Sequence, residues 1–82
     1  MSSAFSSVSD EVRRVVSDVL GVPASSLTPE SSPETLEQWD SVQHLTLVMA
    51  IEEAFHLQFE PEDMEKMRSV GAIESAVLKK RG

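Results

Sequence analysis

The sequence predicts an all-α fold, a four-helix bundle with a long loop between helices 1 and 2 and a short third helix. Three observations predict it. Apolar residues recur at helical spacing in two separate blocks, from Val8 to Leu20 and from Val42 to Phe55. Pro23, Pro29, Pro33 and Pro61 punctuate the segments outside those blocks. The one stretch that alternates apolar and polar as a strand does, Phe55-His56-Leu57-Gln58-Phe59, has no second strand to pair with. At 82 residues the chain holds one small domain, 1–82. A core of that size is marginal, which favours compact helix packing.

Residues 1 to about 6 are serine-rich and are expected to fray. The first helix is predicted from about Ser7 to Leu20. Val8, Val12, Val15, Val16, Val19 and Leu20 follow the helical period, and the adjacent pairs Val15-Val16 and Val19-Leu20 break the alternation of a strand. Asp10 and Glu11 suit the positive end of the helix dipole, while Gly21 and Pro23 mark a stop. From Val22 to Asp40 the chain reads as one loop, pinned to the bundle by Leu27, Leu36 and Trp39. Loops this long are uncommon in compact domains and are often functional.

The second helix is predicted from about Ser41 to His56. Val42, Leu45, Leu47, Val48, Met49, Ile51 and Phe55 cover an arc wider than the stripe of an ordinary surface helix. Such an arc suits a central helix buried against more than one neighbour, and part of it also suits the lining of a cleft. Leu57 and Phe59 then point inward from a connecting loop. Pro61 opens a short third helix to about Met67, with Met64 and Met67 inward. Ser69 caps a fourth, from about Val70 to Lys80, which buries Ile73 and Val77.

Charge narrows the range of functions. The formal net charge is −7, and no Lys or Arg lies between Arg14 and Lys66. All the carboxylates except Asp10, Glu11 and Glu74 fall in that interval. Such a surface repels nucleic acid and anionic membrane and attracts partners with basic patches; it also simply keeps a small domain soluble. No cysteine is present, which excludes disulfides and Cys-based zinc sites and suits a reducing cytoplasm. The longest apolar run, Leu47 to Ile51, is too short for membrane insertion, and the N-terminus has no signal-peptide pattern.

No constellation of catalytic residues emerges. His44 and His56 lack metal-ligand spacing, and the acidic run Glu60-Pro61-Glu62-Asp63 lacks the glycine and alternation of a calcium loop. Ser41 and His44 share one helix without a third group to orient the base, so no metal or catalytic residue is assigned.

The informative junction is Trp39-Asp40-Ser41-Val42, where the long loop becomes the second helix. A helix start presents unpaired N–H groups and partial positive charge, a favourable place for a phosphate ester on Ser41. The plainer role for Ser41 is an N-cap. Trp39 is either an apolar anchor or part of the surface a partner reads.

The segment Asp40-Ser41-Val42, with Leu45, Leu47-Val48-Met49, Glu52-Glu53 and Phe55, resembles the acyl carrier protein family, and the likeness extends from about Val12 to Val77. The resemblance implies a four-helix bundle that carries acyl intermediates as thioesters. Their handle is a 4′-phosphopantetheine arm, taken from coenzyme A by a phosphopantetheinyl transferase with Mg²⁺. Ser41 would bear the arm and Asp40 would flank it in transferase recognition. Loading and condensing enzymes with basic docking patches would meet the second helix at Trp39, Val42, Gln43, Thr46, Glu52 and Glu53. Leu45, Val48, Met49 and Phe55 would line the acyl cleft. The carrier would act as a cytoplasmic monomer in fatty-acid, polyketide or related biosynthesis, as a substrate of enzymes and not as an enzyme.

The sequence departs from the fatty-acid type where acidic residues usually open the second helix. Gln43 and Thr46 stand there, with His44 between them. That departure points to a carrier dedicated to a specialised pathway. The alternatives are an aminoacyl or peptidyl carrier, a helical interaction module with no prosthetic group, and a serine hydrolase.

Overall fold

In a computed structural model of the chain, which describes residues 8–81, four α-helices follow in the expected order. They are α1 (Val8–Leu20), α2 (Ser41–Phe55), α3 (Pro61–Lys66) and α4 (Val70–Arg81), and no strand occurs among the described residues. The fraying expected of residues 1 to 6 and the helix start expected at Ser7 lie outside the described residues.

α1 buries Val12, Val16 and Leu20, one per turn, with Val8, Val15 and Val19 half-buried beside them. That stripe packs against both α2 and α4. Leu47, Val48 and Ile51 meet it from α2, and Val70, Ile73 and Val77 from α4. Burying each such aliphatic side chain contributes about 1.5–3 kcal/mol. Ser9 Oγ also donates to Glu74 Oε2 across α1 and α4 at 2.8 Å. α1 stops at Gly21, whose φ of +72° an L side chain adopts only with strain, and the Gly21 N–H closes the last turn on the Ser17 carbonyl at 2.8 Å.

The long connection is anchored along its length. A short 3₁₀ turn, Ala24–Ser26, interrupts it, Leu27 and Trp39 are buried, and Leu36 is half-buried against the core. Its middle docks on the first turn of α4. The Ser31 carbonyl accepts the Val70 N–H at 3.0 Å and the Pro29 carbonyl accepts the Gly71 N–H at 2.9 Å. The loop thereby satisfies two donors that a helix start leaves unpaired, and Ser69 Oγ takes a third, from Ala72, at 3.0 Å. A Cβ at position 71 would stand 3.1 Å from the Pro29 oxygen, so this close approach uses the missing side chain of Gly71.

α2 ends one residue earlier than expected. His56 adopts the left-handed conformation (φ 56°), and the Leu57 N–H returns to the Glu52 carbonyl at 2.9 Å. Leu57 is half-buried and Phe59 buried, as expected of an inward-pointing connection. α3 likewise stops at Lys66. Met67 is fully buried, but from the turn beyond the helix, and Met64 is half-buried. In α3 the Glu60 N–H donates to Asp63 Oδ2 at 3.0 Å, and Lys80 Nζ of α4 lies 3.4 Å from the same oxygen. The backbone N–H first, and then the neighbouring ammonium, hold the Asp63 carboxyl below its ordinary value of 3.8.

Candidate functional site

The site forms where the long loop runs into α2. Asp40 is extended (φ −95°, ψ −175°); its Oδ1 accepts the Gln43 N–H at 2.9 Å and its carbonyl accepts the His44 N–H at 2.8 Å. Asp40 is therefore the N-cap, which removes the plainer role open to Ser41. Ser41 is the first helical residue and is exposed, and its hydroxyl has no hydrogen-bond partner among the described residues.

The floor beneath Ser41 is buried and hydrogen-bonded. Trp39 is only 2% exposed; its Nε1–H donates to His44 Nδ1 at 3.0 Å, and the two rings stack with centroids 6.1 Å apart. His44 Nε2 lies 3.1 Å from the Met64 carbonyl. An indole N–H only donates and a carbonyl only accepts, so the network assigns the ring proton to Nε2. His44 thus ties the loop, α2 and α3 together. With Asp40 engaged in capping and both His44 nitrogens occupied, neither of these two neighbours is free to act as a base toward Ser41. Among the described residues no group of three or more His, Asp and Glu could hold a metal ion.

Beside Ser41 lies a cleft of about 290 Å³ lined by Pro33, Trp39, Asp40, Ser41, His44 and Arg68. Arg68 comes from the α3–α4 connection and was not singled out in the sequence. The only signal there is that it stands among the first cations after the acidic interval. A wider depression of about 620 Å³ lies farther along α2, lined in part by Thr46, Met49, Glu53 and Leu57.

Several sequence expectations need correction. Trp39, expected among the docking residues, is the buried anchor; it borders the Ser41 cleft but offers a partner almost no surface. Gln43 is half-buried and its Nε2 donates to the Val19 carbonyl at 3.3 Å, so it joins α2 to the end of α1. Glu52 is also half-buried, its Oε2 accepting the Phe59 N–H at 2.8 Å. Val42, Thr46 and Glu53 are exposed.

The four residues expected to line an acyl cleft do not converge. Val48 is core and Phe55 is half-buried with the Arg81 guanidinium 6.0 Å above its ring, whereas Leu45 and Met49 are 60% and 65% exposed. At 100° per residue, Leu45 and Met49 fall with Val42, 72% exposed, on the side of α2 away from Leu47 and Ile51. The wide apolar arc is thus half core and half surface strip.

Comparison with known proteins places this geometry in context. A family model described as "Phosphopantetheine attachment site" matches residues 10–77. The chain is similar to a curated acyl carrier protein from Chlamydia felis, with 33% identity over 76 residues, 93% of this chain and 97% of that one. Its fold is similar to the solution structure of a holo acyl carrier protein from Geobacter metallireducens, with a TM-score of 0.80 and 26% identity over 90% of this chain and 85% of that one.

Proposed function

The chain belongs to the acyl carrier protein family, and from that membership we propose that Ser41 bears its 4′-phosphopantetheine arm. One observation carries the assignment. The Ser41 hydroxyl is exposed and unpartnered among the described residues, at the head of α2, while Asp40 caps the helix in its place. The residues around Ser41 fit the group. A phosphate ester there meets the N-terminal end of a 15-residue helix, and the adjoining cleft adds a guanidinium. When bound, the group supplies a terminal thiol that takes the acyl cargo as a thioester.

The chain's own residues position and do not react. Asp40 fixes the first turn so that Ser41 projects outward, and Trp39 and His44 hold that turn against the core. The base that takes the Ser41 proton must come from a phosphopantetheinyl transferase, which recognises Asp40 beside its target. The protein then serves as substrate and partner of biosynthetic enzymes in the cytoplasm, without turnover of its own.

Those enzymes dock on the outer side of α2, where Val42, Leu45 and Met49 are exposed beside Thr46 and Glu53. Thr46, exposed where a carboxylate is usual, supports service in a dedicated pathway over housekeeping fatty-acid synthesis. The test of the assignment is intact mass after incubation with coenzyme A and a broad-specificity transferase. One arm is expected on the wild type and none on Ser41→Ala; an unmodified wild type, or an arm on the variant, overturns it.

A further inference from the structure

The cleft beside Ser41 contains one guanidinium and no ammonium group. Arg68 is exposed and makes no ion pair or hydrogen bond among the described residues. The other arginines of the described residues contrast with it. Arg13 and Arg14 pair with Asp10 and Glu11 on their own helix, and Arg81 lies over Phe55. The backbone that presents Arg68 is firmly held. Met67 before it and Val70 after it are both fully buried, and the Val70 N–H is bonded to the long loop at Ser31. The mount is fixed while the cation it presents is unengaged.

Apart from the helix start itself, the other residues lining the cleft leave an anion little else to bind. Both ring nitrogens of His44 are engaged, and the Trp39 indole N–H is spent on His44. Pro33 has no N–H to offer. Asp40 contributes negative charge, part of it committed to the Gln43 N–H. Besides the N-terminal end of α2, a phosphodiester on Ser41 would therefore meet one carboxylate that repels it and one guanidinium that attracts it.

We infer that Arg68 binds the phosphodiester linking the arm to Ser41 and holds the arm's first segment in the cleft lined by Pro33, Trp39 and His44. The inference rests on the attachment at Ser41. A guanidinium presents paired N–H donors that match two phosphate oxygens, a fit that an ammonium does not reproduce. Arg68 is then an arm-positioning residue, and a partner enzyme must displace this contact to draw the arm into its own site.

The experiment uses the intact protein as wild type, Arg68→Gln and Arg68→Lys, each converted to completion and checked by mass. Because Arg68 is exposed and unpartnered, thermal melts of the three are expected to coincide. Phosphorus-31 NMR at low salt should place the wild-type phosphodiester resonance apart from that of Arg68→Gln, with Arg68→Lys between them. Raising salt to roughly 1 M, where screening acts within about 3 Å, should move the wild type toward the glutamine variant. The Arg68 Nε–H resonance should also shift when the apo protein becomes holo. Coincident phosphorus resonances at low salt with an unmoved Arg68 Nε–H overturn the role of Arg68 and leave Ser41 standing. Failure of the wild type to gain an arm at Ser41 overturns both.

Discussion

At the scale of single residues, the division of labour between Asp40 and Ser41 is the telling feature. Both are good N-cap types, and the sequence leaves open which of the two caps α2. The structure gives the cap to Asp40, through Oδ1 and the Gln43 N–H, and leaves the Ser41 hydroxyl without a hydrogen bond among the described residues. Asp40→Ala should therefore lower stability by about 1 kcal/mol, the usual cost of a lost N-cap. Ser41→Ala should leave stability unchanged, and denaturant unfolding of the two variants checks the contrast. A destabilised Ser41→Ala would mean that the serine is structural. The role of His44 was not legible, because a histidine one turn into a helix says nothing of what its two nitrogens reach. Its partners, Trp39 and the Met64 carbonyl, come from separate parts of the chain. Arg68 escaped notice for the same reason: only the fold brings the α3–α4 connection beside Ser41.

At the scale of elements, the four helices were legible because each carries its own local marks: a valine stripe with Gly21 behind it, a long apolar block, Pro61 at a helix start, and Ser69 as a cap. What periodicity could not tell is which apolar residues are covered. The α2 arc reads as one wide face, but α1 and α4 supply one shared core, so Val42, Leu45 and Met49 remain outside it. Nor could the sequence show that the long loop satisfies the first N–H groups of α4. Those bonds run from backbone to backbone at Pro29, Ser31, Val70 and Gly71, and carry no side-chain signature.

Two predictions belong to the elements. His56 ends α2 in a left-handed conformation that costs an L residue roughly 1–2 kcal/mol. His56→Gly should raise stability by about 0.5–1 kcal/mol, since the greater chain entropy of glycine offsets part of the gain. A shift of the unfolding midpoint to higher denaturant checks it. The second concerns acid. Asp63 has a folded-state pKa below 3.8, chiefly through the Glu60 N–H and then through Lys80. Its contribution is therefore present in full above 3.8 and is lost as pH falls from there through the lower folded value. Unfolding midpoints measured across that window should fall less steeply for Asp63→Asn than for the wild type. Parallel curves would mean that the contact does not differ between folded and unfolded states.

For the whole molecule, acidity and the apolar strip on α2 act together. The charge of −7 favours encounter with basic partners at long range, which governs association rate more than final affinity. On the proposed docking surface the contact that follows would rest on the exposed Val42, Leu45 and Met49, where salt has little purchase. Acyl-loading rates of the holo protein with its partner enzyme should accordingly split. Thr46→Glu should raise the rate with a basic partner at low salt only. Leu45→Asp should depress it, by tenfold or more if about 1.4 kcal/mol of apolar contact is lost, at low and high salt alike. A Leu45→Asp variant that loads normally would remove this strip from the docking surface. Family membership was legible in the sequence because the Asp40-Ser41 junction, the apolar helix and the acidity coincide in one short chain. The exposure of the expected docking residues was not, because Gln43 and Glu52 point as much into the fold as out of it.

Attachment at Ser41 is the central claim, and site-resolved fragmentation of the fully converted protein tests it most directly. Every serine of the chain is exposed to the same transferase and coenzyme A, and the modified protein is cleaved and sequenced by mass spectrometry. The whole of the added phosphopantetheine should lie on the peptide containing Trp39-Asp40-Ser41-Val42, and within it on Ser41. Its appearance on any other serine, or an unmodified Ser41 in a protein that has gained the arm, would contradict the claim.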